Sequence, residues 1–392
     1  MNRRGFLWLV LAALVVAALV LAGPTLARLF ATRAAPQAQA RLTGLAVGPG
    51  SFARADGPRR FSFPADYGPH DDFQTEWWYY TGNLKAQDGR QFGFELTFFR
   101  RALLGPAERS ARTSLWATDQ VYLAHFTLSD IANGQFHAFE RFERGAAGLA
   151  GARGDPQYSV WLQDWAVQQT GDKTYRLAAQ QEGVKIDLTL VDQKGPILEG
   201  DQGYSQKGSD PGQASYYLSQ TRLVSTGTIQ LDGRVFPVTG TSWMDHEFST
   251  STLSAEQVGW DWFSIQLDDG TEVMAYVIRR KDGSPDAFSK GTVIYANGSS
   301  RPLSQADFQT QVTATWKSPH SGGVYPAAWT LTIPSEGLTL HLQPRMADQE
   351  LNLSFIYWEG AVKIEGERQG AKITGSGYVE LTGYAQSFAG QF

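Results

Sequence analysis

After residue 58, apolar residues recur at every second position in short runs separated by turn residues. Phe92, Phe94, Leu96 and Phe98 form one such row. Trp329, Leu331 and Ile333 form another, followed by Leu338, Leu340 and Leu342 with Thr339 and His341 between them. A period of two puts each row on one face of a strand, so that one face is buried and the other wetted. Asp88-Gly89, Asp232-Gly233, Asp269-Gly270, Asp282-Gly283 and Asn297-Gly298 fall where tight hairpins need residues tolerant of positive φ. Beyond the N-terminal region no long stretch carries a 3.6-residue period. The expected fold class is all-β, with little helix.

Trp77-x-Tyr79-Tyr80-Thr81-x-x-Leu84, ahead of Asp88-Gly89, is echoed by Trp260-x-Trp262-Phe263-Ser264-x-x-Leu267, ahead of Asp269-Gly270. Such an echo predicts two related barrels or two halves of one architecture, and closure spares a strand-rich chain its free sheet edges. The barrel interiors are expected to hold an apolar ligand cavity. The predicted organisation is a signal or anchor segment and linker over 1–40, an N-terminal barrel over 41–250 and a C-terminal barrel over 251–392. Residues 195–214, rich in Gly and carrying Pro196 and Pro211, read as a long mobile loop, either a lid over a barrel mouth or a surface insertion.

Arg3-Arg4 precedes an uncharged run from Gly5 to Ala27 rich in Leu, Val and Ala. That is the pattern of a signal sequence or single anchor, and Arg3 to Leu7 also resembles a twin-arginine export signal. The expected location is the periplasmic or extracellular side, with the protein tethered or released. With 0 Cys, disulfides, thiolate metal sites and a Cys nucleophile are excluded. A hydrophobic content of 42% against 19% charged residues excludes a disordered chain. The net charge of −5 argues against a nucleic-acid partner, which requires a basic face. The 12 Trp, 15 Tyr and 22 Phe suit strands and pocket walls.

The densest chemistry lies in Thr241 to Phe248. An extended backbone puts Trp243, Asp245 and Glu247 on one face and Met244, His246 and Phe248 on the other. Two carboxylates beside a Trp are costly in apolar surroundings unless paired or used. Burial there raises a carboxyl pKa, a neutral carboxyl can donate a proton, and aromatic faces can shelter a developing cation. Asp245, His246 and Glu247 are therefore the catalytic candidates, with Asp245 and His246 as acid and base. The alternative is that Asp245 and His246 form a buried hydrogen-bonded pair at the domain junction. In Asp72 to Tyr80, Glu76, Trp78 and Tyr80 share one face and Trp77 and Tyr79 the other; one row is core and the other is free to line a cavity. Glu76, Trp78, Tyr80, Trp243, Trp260 and Trp262 are the ligand-binding candidates. The 6 His show no ligand spacing, so neither a metal nor a cofactor is expected. His125 reads as a satisfied core histidine. No Gly-x-Ser-x-Gly elbow occurs, which disfavours a serine hydrolase of the common kind.

Glu76-Trp77-Trp78-Tyr79, Trp243 to Phe248, Trp260-Asp261-Trp262-Phe263, Tyr357-Trp358-Glu359-Gly360 and Gly377 to Tyr384 together resemble the AttH and carotenoid 1,2-hydratase-like proteins, from about residue 60 to the C-terminus. The resemblance implies two lipocalin-like β-barrel domains and puts the family's Trp-x-Asp-His element at Trp243, Asp245 and His246. The family includes hydratases that add water to an isolated alkene of an acyclic carotenoid, exported proteins linked to ABC-transporter systems, and proteins labelled secreted hydrolases. Related lipocalin-like enzymes catalyse cyclisations. The expectation is an exported protein binding an apolar, lipid- or isoprenoid-like ligand as accessory to an ABC-transporter system. The alternatives are a hydratase or isomerase using Asp245 and His246, and a secreted hydrolase. The expected partners are the apolar ligand, ABC-transporter components and, through the N-terminal segment, the membrane.

Overall fold

The alternating runs fold as antiparallel strands in two sheets. The structure is a computed structural model and describes residues 51–110, 113–251 and 253–388. The predicted signal or anchor segment lies outside them. Among the described residues the helical elements are single 3-10 turns, and no helix is long and apolar enough to cross a membrane.

The first sheet begins with β1 (Thr75–Ala86), β2 (Gln91–Ala102), β3 (Gln120–Asp130) and β4 (Gln135–Arg144). It continues through β5 (Ala150–Arg153), β6 (Ser159–Leu162), β7 (Trp165–Gly171), β8 (Thr174–Gln181) and β9 (Val184–Asp192). Two short strands, β10 (Ile197–Leu198) and β11 (Tyr204–Gln206), precede the long β12 (Ala214–Leu231) and β13 (Arg234–Ser249). The strand order is β4-β3-β2-β1-β13-β12-β9-β8-β7-β6-β5, with β10 and β11 both paired to β12. β3 and β4 approach β5 and β6, so this sheet curls into a nearly closed barrel.

The second sheet comprises β14 (Gln257–Leu267), β15 (Glu272–Arg280), β16 (Lys290–Ile294), β17 (Ser300–Ser304) and β18 (Gln309–Lys317). After these come β19 (Val324–Ile333), β20 (Leu338–Pro344), β21 (Glu350–Asn352), β22 (Ile356–Arg368) and β23 (Ala371–Leu381). Its order is β17-β16-β15-β14-β23-β22-β20-β19-β18, with β21 on β22. It forms a half-barrel. In both sheets the first strand pairs with the second on one side and with the last on the other. The echoed segments are thus equivalent strands, β1 and β14.

The hairpin signals fall in turns as expected. Gly89, Gly233, Gly270, Gly283 and Gly298 all adopt φ between 75° and 90°. Asp232-Gly233 is a two-residue connection between Leu231 and Arg234, with φ of 51° and 75°. Positive φ at both central residues matches the right-handed twist of the flanking strands.

The concave faces are not hollow. Trp78, Tyr80, Phe94, Phe126, Trp165 and Leu188 are among the buried residues filling the first barrel. Phe263, Ile265, Trp329, Leu340, Trp358 and Val379 do so in the second. The expectation of a cavity inside the barrels is corrected here: large aromatic side chains on the inward rows occupy that space. A third cluster, including Tyr79, Tyr217, Trp243, Trp262, Tyr276 and Tyr378, packs one sheet's outer face against the other's. The rings of Tyr79 and Trp262 meet edge to face at 5.1 Å and 83°, so the echoed aromatics touch each other across the junction.

Residues 195–214 are also corrected. They form β10 and β11 along β12 and send Glu199, fully buried, into the junction, where it accepts a hydrogen bond from the Thr292 hydroxyl.

Candidate functional site

Alternation along β13 decides which side chains reach the junction. Met244 joins the core of the first barrel. Asp245, Glu247 and Ser249 face the second sheet and line a cavity of ≈ 150 Å³ between the two sheets. Trp77, Tyr79, Trp260, Trp262, Phe355 and Phe388 are aromatic walls of this cavity, while Glu95, His125, Lys207, Asp245, Glu247 and Glu380 bring polar atoms to it. Trp77, Leu253 and Trp260 are only half-buried and mark its side nearest solvent. Strands β1, β2, β3, β12 and β13 of the first sheet meet β14, β15, β22 and β23 of the second around this space.

Asp245 is the best-held acid in it. Its Oδ1 accepts from the Ser219 hydroxyl at 2.6 Å and from Trp243 Nε1 at 2.6 Å; its Oδ2 accepts from the Tyr217 hydroxyl at 2.6 Å. Trp262 Nε1 donates in turn to the Tyr217 oxygen at 3.0 Å. Burial favours the uncharged carboxyl more than these donors favour the anion, and the Asp245 pKa is pushed up to about 7. Burial likewise raises Glu380, which accepts from Trp260 Nε1 at 3.2 Å, to about 8, and Glu199 to about 8. Glu95 is also raised by burial. Glu247 differs: its Oε1 lies 3.1 Å from Lys207 Nζ. Burial opposes the Lys207 charge, but Glu247 beside it outweighs that and holds the ammonium above the ordinary lysine value.

His246 is on the other face. Its Nε2 lies 2.8 Å from Glu76 Oε1, its ring stacks on Trp78 at 5.0 Å, and it has no place in the cavity wall. Asp245 and His246 form neither an acid–base couple nor a structural pair, because adjacent residues of a strand point to opposite faces. Glu76, Trp78 and Tyr80 share the inward face and do not line the cavity either; Trp77 and Tyr79, their neighbours, do. Trp243 stands behind Asp245 as its donor. Of the expected ligand-binding residues, Trp260 and Trp262 line the space.

Around Glu76 a second cluster forms. Arg100 Nε donates to Glu76 Oε2 at 2.8 Å, His70 Nδ1 lies 2.9 Å from Oε1, and His70 Nε2 reaches Asp66 Oδ1 at 2.9 Å. Burial would raise the Glu76 pKa, but Arg100 and the two imidazoles hold it well below the usual carboxylate range. His70, Glu76 and His246 bring three ligand-type atoms within 4.8 Å of one another. The guanidinium on Glu76 already neutralises the carboxylate and disfavours a second cation, while His246 Nδ1 is buried with no protein partner.

With this geometry in hand, the AttH-like family pattern matches residues 54–384. The chain belongs to the AttH-like family. It is similar to an AttH-type protein of Nitrosomonas europaea, 35% identical, with a TM-score of 0.75 over 85% of this chain and 100% of that one. Kievitone hydratase from Nectria haematococca superposes with a TM-score of 0.64 at 13% identity, covering 86% of this chain and 98% of its own. CghA does so with a TM-score of 0.52 at 12% identity, covering 87% and 96%. At those two identities the likeness shows the fold alone: an architecture of two lipocalin-like barrels. No curated protein matches the chain.

Several cavity residues of this AttH-like chain escaped the reading of its sequence. Glu95 and Thr97 alternate with Phe92, Phe94, Leu96 and Phe98 and so occupy the face expected to be wet; the second sheet covers it. His125, read as a core histidine, lines the cavity. Lys207 came from the stretch expected to be a loop. Ser215, Ser249 and Ser251 also line the space, but the Ser249 and Ser251 hydroxyls bond each other at 2.9 Å and the Ala214 carbonyl, with no base among their partners.

The raised carboxyls make stability pH-dependent. Asp245, Glu199 and Glu380 bind their protons more tightly folded than unfolded, where carboxyls titrate near about 4. Between about pH 4 and 8 the native state therefore holds more protons, and stability falls as pH rises through that window. Glu76 has the opposite sign and loses its contribution in acid. Denaturant midpoints should decline from mildly acidic to mildly alkaline pH, and decline less in Glu380→Gln. A flat or rising profile would show that these carboxyls ionise freely.

Proposed function

We propose that the protein takes a small apolar, unsaturated ligand of lipid or isoprenoid type into the cavity between its sheets and adds water to, or removes it from, a carbon–carbon double bond. The observation that carries this reading is Asp245: a buried carboxyl, pushed up to about 7, held by three donors in the wall of an aromatic cavity. At neutral pH a large share of it carries a proton. Transfer of that proton to one alkene carbon leaves a cation on the other, which the faces of Trp77, Trp260 and Trp262 can stabilise. Water then bonds to that carbon and gives up a proton to a base in the cavity wall, so that H and OH have been added, and a proton taken up from solvent restores Asp245.

The cavity volume is on the scale of an engineered cavity that holds benzene, roughly one ring or one isoprenoid unit. A longer ligand would place only its reacting segment there and leave past Trp77, Leu253 and Trp260. A neighbour of the same fold named kievitone hydratase, and the resemblance to carotenoid 1,2-hydratase-like proteins, support the reaction class. The apolar run Gly5 to Ala27 behind Arg3-Arg4 supports work on the periplasmic or extracellular side. An accessory role beside an ABC-transporter system rests on the family resemblance.

A second reading, a carrier without turnover, is favoured by the fact that both oxygens of Asp245 are already engaged by protein donors. Incubation with acyclic isoprenoid alkenes of graded length in ¹⁸O-water, followed by mass spectrometry, separates the two. A labelled alcohol supports the hydratase. Unchanged alkene retained by the protein in native mass spectrometry supports the carrier, and an alkene that neither binds nor reacts sinks both.

A further inference from the structure

Opposite the strand that carries Asp245, a line of hydrogen bonds runs from the cavity to the protein's edge. Glu95 of β2 and His125 of β3 belong to the first sheet, and Tyr357 of β22 to the second. The Tyr357 hydroxyl bridges them, 3.1 Å from Glu95 Oε1 and 2.7 Å from His125 Nδ1. His125 Nε2 lies 3.1 Å from Glu140 Oε2, its cross-strand partner on β4. Glu140 is the member that meets water, with its side chain 22% exposed, whereas that of His125 is 0% exposed. At the inner end, Thr97 donates to Glu95 Oε1 at 2.8 Å, and Glu95 Oε2 is buried with no protein partner. Glu95, His125 and Tyr357 all line the cavity.

We propose that His125 and Tyr357 are a second proton-transfer station of this cavity, connected to solvent through Glu140 and to the bound ligand or water through Glu95. The proposal rests on the reading of the cavity as a site of proton chemistry, and it supplies what that reading lacks, a route for the proton released when water adds.

The transfers balance. The Glu95 carboxyl gives its proton to the Tyr357 oxygen as Tyr357 gives its own to His125 Nδ1. The products are a Glu95 carboxylate and a His125 imidazolium whose Nε2–H points at the Glu140 carboxylate. The Nε2 proton then passes to Glu140 and to water, leaving a neutral imidazole; run backwards, the chain delivers a proton to the cavity. The end groups suit this. Burial works against the Glu140 anion, but the His125 contact outweighs it and keeps Glu140 below the usual carboxylate range, whereas burial raises Glu95. The other titratable groups near the inner end are Glu359, Glu380, Tyr79 and Tyr378. None of them carries a positive charge that would lock Glu95 as an anion. Glu140 also accepts from Ser354 Oγ at 2.6 Å, which fixes the carboxylate against the ring.

The test needs no substrate. Histidine ¹⁵N spectra and infrared carboxyl bands are followed across pH on the full chain, with the Glu95 band assigned by Glu95→Gln. In the parent protein the His125 ring and the Glu95 band should titrate as one coupled pair. Tyr357→Phe, which keeps the ring and removes the bridge, should split them into two independent titrations. Glu140→Gln, whose neutral amide no longer favours the imidazolium, should change the pH dependence of the His125 ring signals. Should Tyr357→Phe fail to fold, Glu140→Gln alone, at the half-buried edge, still decides. Unaltered His125 titration in folded variants overturns the proposal. Asp245→Asn should leave these titrations in place, so loss of the hydratase reading and loss of this one give different results.

Discussion

Asp245→Asn should give a folded protein that still takes up its ligand and turns it over roughly 10²- to 10⁴-fold more slowly. The amide has the shape of the carboxyl. Its oxygen can keep the bonds from Ser219 and Trp243, and its NH₂ can face Tyr217, whose oxygen already accepts from Trp262. What it lacks is a transferable proton. Because an amide never has to be buried as an anion, the variant should also be at least as stable as the parent above about pH 7. Steady-state turnover beside ligand binding and denaturant unfolding checks all three points. Unchanged turnover would remove Asp245 from the chemistry; lost stability with unchanged binding would make it a structural residue.

The largest loss of stability should come from the opposite face of the same two strands. Glu76→Gln should cost about 3–5 kcal/mol, the usual penalty for stranding one partner of a buried ion pair. Both Glu76 and Arg100 have side chains with 0% exposure. The carboxylate also engages His246, His70 and the His70 backbone N–H, so one substitution leaves several buried donors without an anionic acceptor. Urea unfolding measures the loss directly. A cost below about 1 kcal/mol would mean that water or a rearranged neighbour reaches Arg100. Ligand uptake should be nearly unaffected in whatever fraction remains folded, since Glu76 does not line the cavity.

These two outcomes bear on what could be read from residues alone. Alternation correctly separated Asp245 from His246 and Trp77 from Trp78, and the Asp-Gly and Asn-Gly pairs marked real turns. What alternation could not say was which row faced the cavity. β1 is buried on both sides along most of its length, as is the last half of β13, because one side closes a barrel and the other meets a second sheet. A polar row such as Glu95-x-Thr97 then looks like a wet surface although it is covered. Only the packing of two outer faces, a contact between residues far apart in sequence, turns that row into a wall. His125, Tyr357 and Glu380 came to light for the same reason: each is ordinary on its own strand and acquires a role from its neighbour across the junction.

The pairing of first with last strand has a consequence for how the molecule comes into being. Thr75 must wait for Ser249, and Trp262 for Glu380, so neither sheet closes until its final strand has been synthesised. Such distant pairings make folding slow, since a long loop must be ordered before it is rewarded. The acid contributed by Glu380 arrives on the last strand of all. A growing chain therefore has no cavity between its sheets until β23 has been made and has paired with β14.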